Sequence, residues 1–146
     1  MHVRQQIRDA VAAALRNLAT TGNRVYVGRT RPLAEGHEPT LLIYTTQEES
    51  SRGVMGNPPT LERVLTLHIE GRVSEDSVPD DLLDDIATEV ETAMWNTTAL
   101  DQMIYHIQFR RSEIQIEAQG TAHIGGIRLE YLVKYRTKEG APGLVV

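Results

Sequence analysis

The residues best equipped for chemistry in this chain of 146 are its five histidines, since imidazole serves both as general base and as metal ligand. Their spacing supports neither use. The sequence contains no H-E-x-x-H pair, no two histidines on one helical turn, no G-x-S-x-G elbow and no P-loop. His37 falls in a connector, and His68, His106 and His123 are expected on polar strand faces as surface or interface residues. His68 raises the sharpest question, because it sits in "VLTLHIEGRVSEDSVPDDLL" (64–83), with acids before and after it.

Other clusters also have structural explanations. The carboxylates of "PDDLLDDI" (79–86) could hold a divalent cation weakly, but they lack the spacing of a calcium loop. They suit the start of a helix, where the dipole favours negative charge. Gly120, Gly125 and Gly126 lie between strands rather than before a helix, so bulges or a tight turn are expected instead of a phosphate cradle. Phe109, Arg110 and Arg111 form a small aromatic and basic spot, expected to be a strand end paired to acidic neighbours. "NTT" (96–98) matches a glycosylation sequon but reads better as a helix break and cap. With no cysteine, neither a disulfide framework nor a thiolate metal site is available.

The elements that position these residues follow from periodicity. Val3, Ile7, Val11, Ala14, Leu15 and Leu18 recur at steps of three and four, which predicts an amphipathic helix stopping near "TTGN", where Gly22 offers a left-handed position. "RVYVG" and "TLLIYTT" predict strands, the second apolar on both phases and so placed centrally in a sheet. "QEESSRGVMGNPP" (47–59) reads as a connector unusually long for a compact domain. In "LERVLTLHIEGRV", Leu61, Leu65, Leu67 and Ile69 face one way while Glu62, Thr66, His68 and Glu70 face the other, so His68 points away from the apolar side. The quoted stretch is then a seam between a strand and a helix.

That helix begins at Pro79 and buries Leu82, Leu83, Ile86, Val90, Ala93 and Met94, ending at Trp95 and Asn96. "TTALDQM" predicts a short second helix capped by Thr97 or Thr98. Strands return in "IYHIQF", "EIQIEA" and "GIRLEYLVKYRT", the last with Ile127, Leu129, Tyr131, Val133 and Tyr135 on one face. The tail 138–146 has lost periodicity and is expected to be loose. The order predicts one α+β domain over 1–146: an antiparallel or mixed sheet with the N-terminal and central helices on one face.

The formal charge of −5 opposes a general grip on phosphate backbones. The opening segment has neither the continuous apolar run of a membrane span nor the build of a signal peptide, so a cytoplasmic setting without membrane contact is expected.

Taken in order, "HVRQQIRDAVAAAL", "RVYVGRTRPL", "PTLLIYTTQEES", "LERVLTLHIEGRV", "VPDDLLDDI" and "LEYLVKYRT" resemble the tail terminator proteins of long-tailed, lambda-type bacteriophages, over roughly residues 1 to 137. The resemblance implies a non-enzymatic subunit, without metal or cofactor, that forms a hexameric ring in the virion tail after assembly in the host cytoplasm. The ring would cap the tail tube, end its polymerisation and face the head-tail connector protein, with DNA passing through unbound. The polar strand faces bearing His68, Glu70, Arg128, Glu130 and Lys134 suit a subunit interface or a wet channel wall. The loop 50–60, with Arg52, Val54 and Met55, suits contact with the tail tube or a neighbouring subunit. Two alternatives are another head-tail connector or tail-completion protein and, further off, a small enzyme using His68 or His106.

Overall fold

The computed structural model describes residues 1–29, 39–75, 79–119 and 122–146. His37, most of its connector and Gly120 lie outside them. Helix α1 spans Val3–Ala14 and α2 spans Asp80–Asn96. Six strands follow the order β1 (Val25–Val27), β2 (Thr40–Arg52), β3 (Thr60–Glu75), β4 (His106–Gln119), β5 (Ala122–Lys138) and β6 (Ala141–Val145). They form one mixed sheet in the order β1-β2-β3-β5-β4, with β6 added to β5. Among the described residues only β1 and β2 run parallel. The architecture is α+β in a single domain. Among the described residues no helix is long and apolar enough to cross a membrane.

Both helices cover one face of the sheet. Val3, Ile7 and Val11 of α1 and Leu83, Ile86 and Val90 of α2 join Leu41, Ile43, Leu65, Leu67, Ile69, Leu129 and Val133 in a single core. Each fully buried aliphatic side chain contributes roughly 1.5–3 kcal/mol of transfer free energy. The close fit of α2 depends on two glycines in neighbouring strands. A Cβ on Gly71 would lie 2.8 Å from Ile86 Cγ2, and one on Gly125 would lie 2.8 Å from Pro79 Cγ. Gly125 and Gly126 therefore make neither a bulge nor a turn: they sit inside an unbroken β3–β5 ladder, and Gly125 is small because the helix lies on it.

Helix α1 stops well before "TTGN". Asn17 takes a left-handed φ of 68° and its N–H bonds Gly22 O at 3.0 Å, so the chain turns two residues past the cap at Leu15. Its start is fixed by His2, whose Nδ1 accepts from the Arg4 N–H at 3.2 Å. At the far end of α2, "TTALDQM" is a run of turns rather than a helix. The Thr97 hydroxyl accepts from the Ala99 N–H at 3.2 Å and buried Leu100 anchors the segment to the core. So short a segment cannot repay helix nucleation, and a threonine that bonds nearby backbone favours the turn.

The connector 47–59 is much shorter than its composition suggests. Strand β2 continues through Glu48–Arg52, paired with Leu65–Leu61 beyond a bulge between Thr45 and Glu48, so only 53–59 remain as the hairpin tip. The tail also departs from expectation. Residues Ala141–Val145 form β6, Val146 N–H donates to Arg136 O at 3.0 Å, and Gln6 Nε2 donates to Gly143 O at 3.0 Å.

Candidate assembly surfaces

The sheet face turned away from the helices collects most of the residues singled out by sequence. Register alone aligns them: His68 stands opposite Glu130, and Glu70 opposite Arg128, on neighbouring strands. Lys134 follows on the same face of β5, between Val64 and His106. The Tyr44 hydroxyl donates to Glu70 Oε1 at 2.8 Å and Arg72 Nε donates to Oε2 at 2.5 Å. Burial followed by that bond raises the Tyr44 pKa. Arg128 pairs with Glu113, and the bond to Arg128 holds the Glu113 carboxyl below its ordinary range.

His68 is not a surface residue. It is only 5% exposed, stacked on Tyr44 with ring centroids 5.1 Å apart, and its Nε2 lies 2.9 Å from Thr46 Oγ1. Alternation placed it correctly on the polar face, but neighbouring side chains close over that face. Burial lowers its pKa and outweighs the opposing pull of Glu130, 4.0 Å away, so neutral imidazole is the favoured form. His106 is exposed at the start of β4, and His123, half-buried at the start of β5, falls on the helix-side face with Gly125 rather than on the polar face. Among the described residues no three histidine or carboxylate side chains are close enough to share a metal ion.

Arg110 and Arg111 have acidic partners, through a device sequence alone does not reveal. A register shift between Phe109 and Arg111 lets two consecutive arginines approach the same carboxylate, Glu130, at 3.6 and 3.4 Å. Phe109 turns to the other side, edge-on to Tyr131 with centroids 5.2 Å apart.

The β2–β3 hairpin carries the second group of expected residues. Arg52 pairs with Glu139 at 2.9 Å, and Arg136 donates to Glu62 at 3.0 Å while lying 4.1 Å from the Tyr105 ring centroid. These contacts fasten the base of the hairpin to β5 and the β5–β6 turn. Beyond them Val54 and Met55 are 65% and 93% exposed. The structure thus divides the expected residues into a polar sheet face (His68, Glu70, Arg128, Glu130, Lys134) and a separate hairpin end (Arg52, Val54, Met55).

Three features escaped sequence reasoning. Glu48, read as loop, is a buried carboxylate beneath α1 that accepts from Arg63 at 2.8 Å and Arg4 at 3.2 Å, with Tyr135 as a third donor. Its signal was Arg63, a charge at an inward-facing position of β3 that had to find a partner. Trp95 is 89% exposed because it falls beside, not on, the buried α2 stripe of Leu83, Ile86, Val90 and Met94. Finally, β4 lies at the end of the sheet with one flank unpaired among the described residues.

Residues 2–135 match the family described as phage minor tail protein U. No curated protein matches the chain. Among solved structures, a chain from the "Virion of native gene transfer agent (GTA) particle" is 17% identical, covering 91% of this chain and 92% of its own length, at a TM-score of 0.42. A match spanning nearly the whole α+β domain makes the chain a member of the phage minor tail protein U family, and so a structural component of a phage tail.

Proposed function

We propose that the chain is a tail terminator: six copies close into a ring that caps the tail tube, ends its polymerisation and offers its opposite face to the head-tail connector. Membership of the minor tail protein family supports the setting. The observation that carries the reading is the hairpin tip. Two apolar side chains, Val54 and Met55, project at 65% and 93% exposure from a hairpin whose base is pinned by Arg52–Glu139 and Arg136–Glu62. A flexible, polarizable methionine held on a fixed arm is suited to fit a partner surface.

The polar sheet face fits the same role by a different route. Its charges are largely paired within the subunit, so it can line a wet passage without a strong hold on DNA, and each copy adds a formal charge of −5. The reading requires no catalytic group, metal or cofactor. Replacing Val54 and Met55 together with Asp tests it. Complementation of a terminator-deficient phage with this variant should give overlong or headless tails, measured by electron microscopy. Normal infectious particles would show that the tip is only a connector.

A further inference from the structure

Strand β4 is 14 residues long and, among the described residues, pairs on one side only, with β5. At about 3.4 Å per residue it presents an edge of roughly 48 Å. Exposed edges of that length are usually blunted by prolines, lysines or bulges. The segment His106–Gln119 contains neither proline nor lysine and has a single bulge, at Phe109/Arg111. Along it Phe109, Ile114 and Ile116 are 39%, 50% and 39% exposed. A cleft of about 570 Å³ adjoins the strand on the helix side, lined by Met94, Trp95, Leu100, Ile104 and Phe109.

The far side of the sheet offers a complementary edge. Strand β1 covers only Leu41–Ile43 of β2, so Glu48–Arg52 has no strand on its outer flank among the described residues. Faces and charges match. Around Glu130 the guanidiniums of Arg110, Arg111 and Arg128 meet only two carboxylates among the described residues, Glu130 and Glu113, leaving one positive charge in excess in this cluster on the polar face. Exposed Glu49, opposite Val64, lies on the same polar face of β2.

We infer that β4 of one copy adds to the Glu48–Arg52 edge of β2 in the next copy, so that the sheets continue around the ring with Glu49 facing Arg110 and Arg111 and the Trp95 cleft closed by the neighbour. This inference rests on the ring reading above. Two different edges at opposite ends of one sheet make a head-to-tail contact, the type that can close into a ring. Main-chain hydrogen bonds along the added strand supply affinity, and the side chains set the register.

The chain has no cysteine, so an engineered pair would form the only disulfide. Ser112 on β4 and Ser50 on β2 are both exposed and both on the helix-side face, opposite Leu129 and Arg63 respectively. The test is a full-length Ser112→Cys/Ser50→Cys double variant, oxidised or joined with a short bis-maleimide, which also spans diagonal cross-strand neighbours about 7–8 Å apart. Denaturing gels should show a ladder of covalent oligomers up to ring size. Mixing the two single variants should give dimers, and neither alone should. If native mass spectrometry shows rings but no ladder forms, the edges are misassigned while the ring reading stands. A linked dimer from Ser112→Cys alone would mean symmetric β4–β4 pairing and overturn the inference. If the parent protein forms no ring, both this inference and the ring reading fail.

Discussion

The two faces of the sheet solve opposite problems. The helix side is largely dry and apolar, and the Glu48–Arg63 pair within it is held by several donors at once. The other side is built from ion pairs and hydrogen bonds that are satisfied mostly within the subunit. The first face therefore determines the fold, whereas the second can be wetted or covered without much change in subunit stability. Unsatisfied apolar surface lies at the periphery of both, at the hairpin tip and along the β4 edge beside Trp95.

The largest effect is expected on the helix side. Leu67 is fully buried between strands and helices, so Leu67→Ala should cost about 2–5 kcal/mol in urea unfolding. Glu48→Ala should follow at about 3 kcal/mol, because it strands the Arg63 guanidinium, whose side chain is 11% exposed. A loss below about 1 kcal/mol at Glu48 would mean that this pair does not help hold β2 in register.

On the polar face the effect is smaller and depends on pH. His68 has a folded pKa held below 6.5 by burial, with Arg128, Arg111 and Arg29 acting in the same sense and Glu130 against it. As pH falls, the unfolded chain takes up the proton first, near 6.5. The stabilising contribution of neutral His68 is therefore complete above about 6.5 and is lost as pH drops below it. His68→Phe keeps a ring against Tyr44 and should flatten the slope of stability between pH 6.5 and 5. His2, whose pKa burial also lowers, leaves a residual slope. An unchanged slope in His68→Phe would remove His68 from the acid response.

The smallest change in stability belongs to the periphery. Val54→Asp with Met55→Asp should shift the unfolding free energy by no more than about 0.5 kcal/mol, as expected for exposed loop positions. The same change is expected to abolish tail-length control, so stability and function separate at this site.

Sequence made the helix-side face legible because its apolar residues follow the periods of helix and strand, as in Ile7, Val11, Leu65 and Leu67. It left β2 too short because Glu48–Arg52 carries no alternating pattern: those residues are strand only because Leu61–Leu65 pair with them. The tail 138–146 was illegible for the same reason, since β6 exists through pairing with β5. At the candidate surfaces, residue types put His68, Glu70, Arg128, Glu130 and Lys134 on a polar face, but the burial of His68 depends on Tyr44, Thr46 and Glu130 arriving from other strands. The shared use of Glu130 by Arg110 and Arg111 depends on a bulge that no local residue announces.

The proposed working state of this tail protein is a closed ring. Native mass spectrometry of the purified chain across a range of protein and salt concentrations measures it most directly. A dominant species of six copies is the expected result, whereas a monomer that persists at high concentration, and also in the presence of tail tubes, would contradict it.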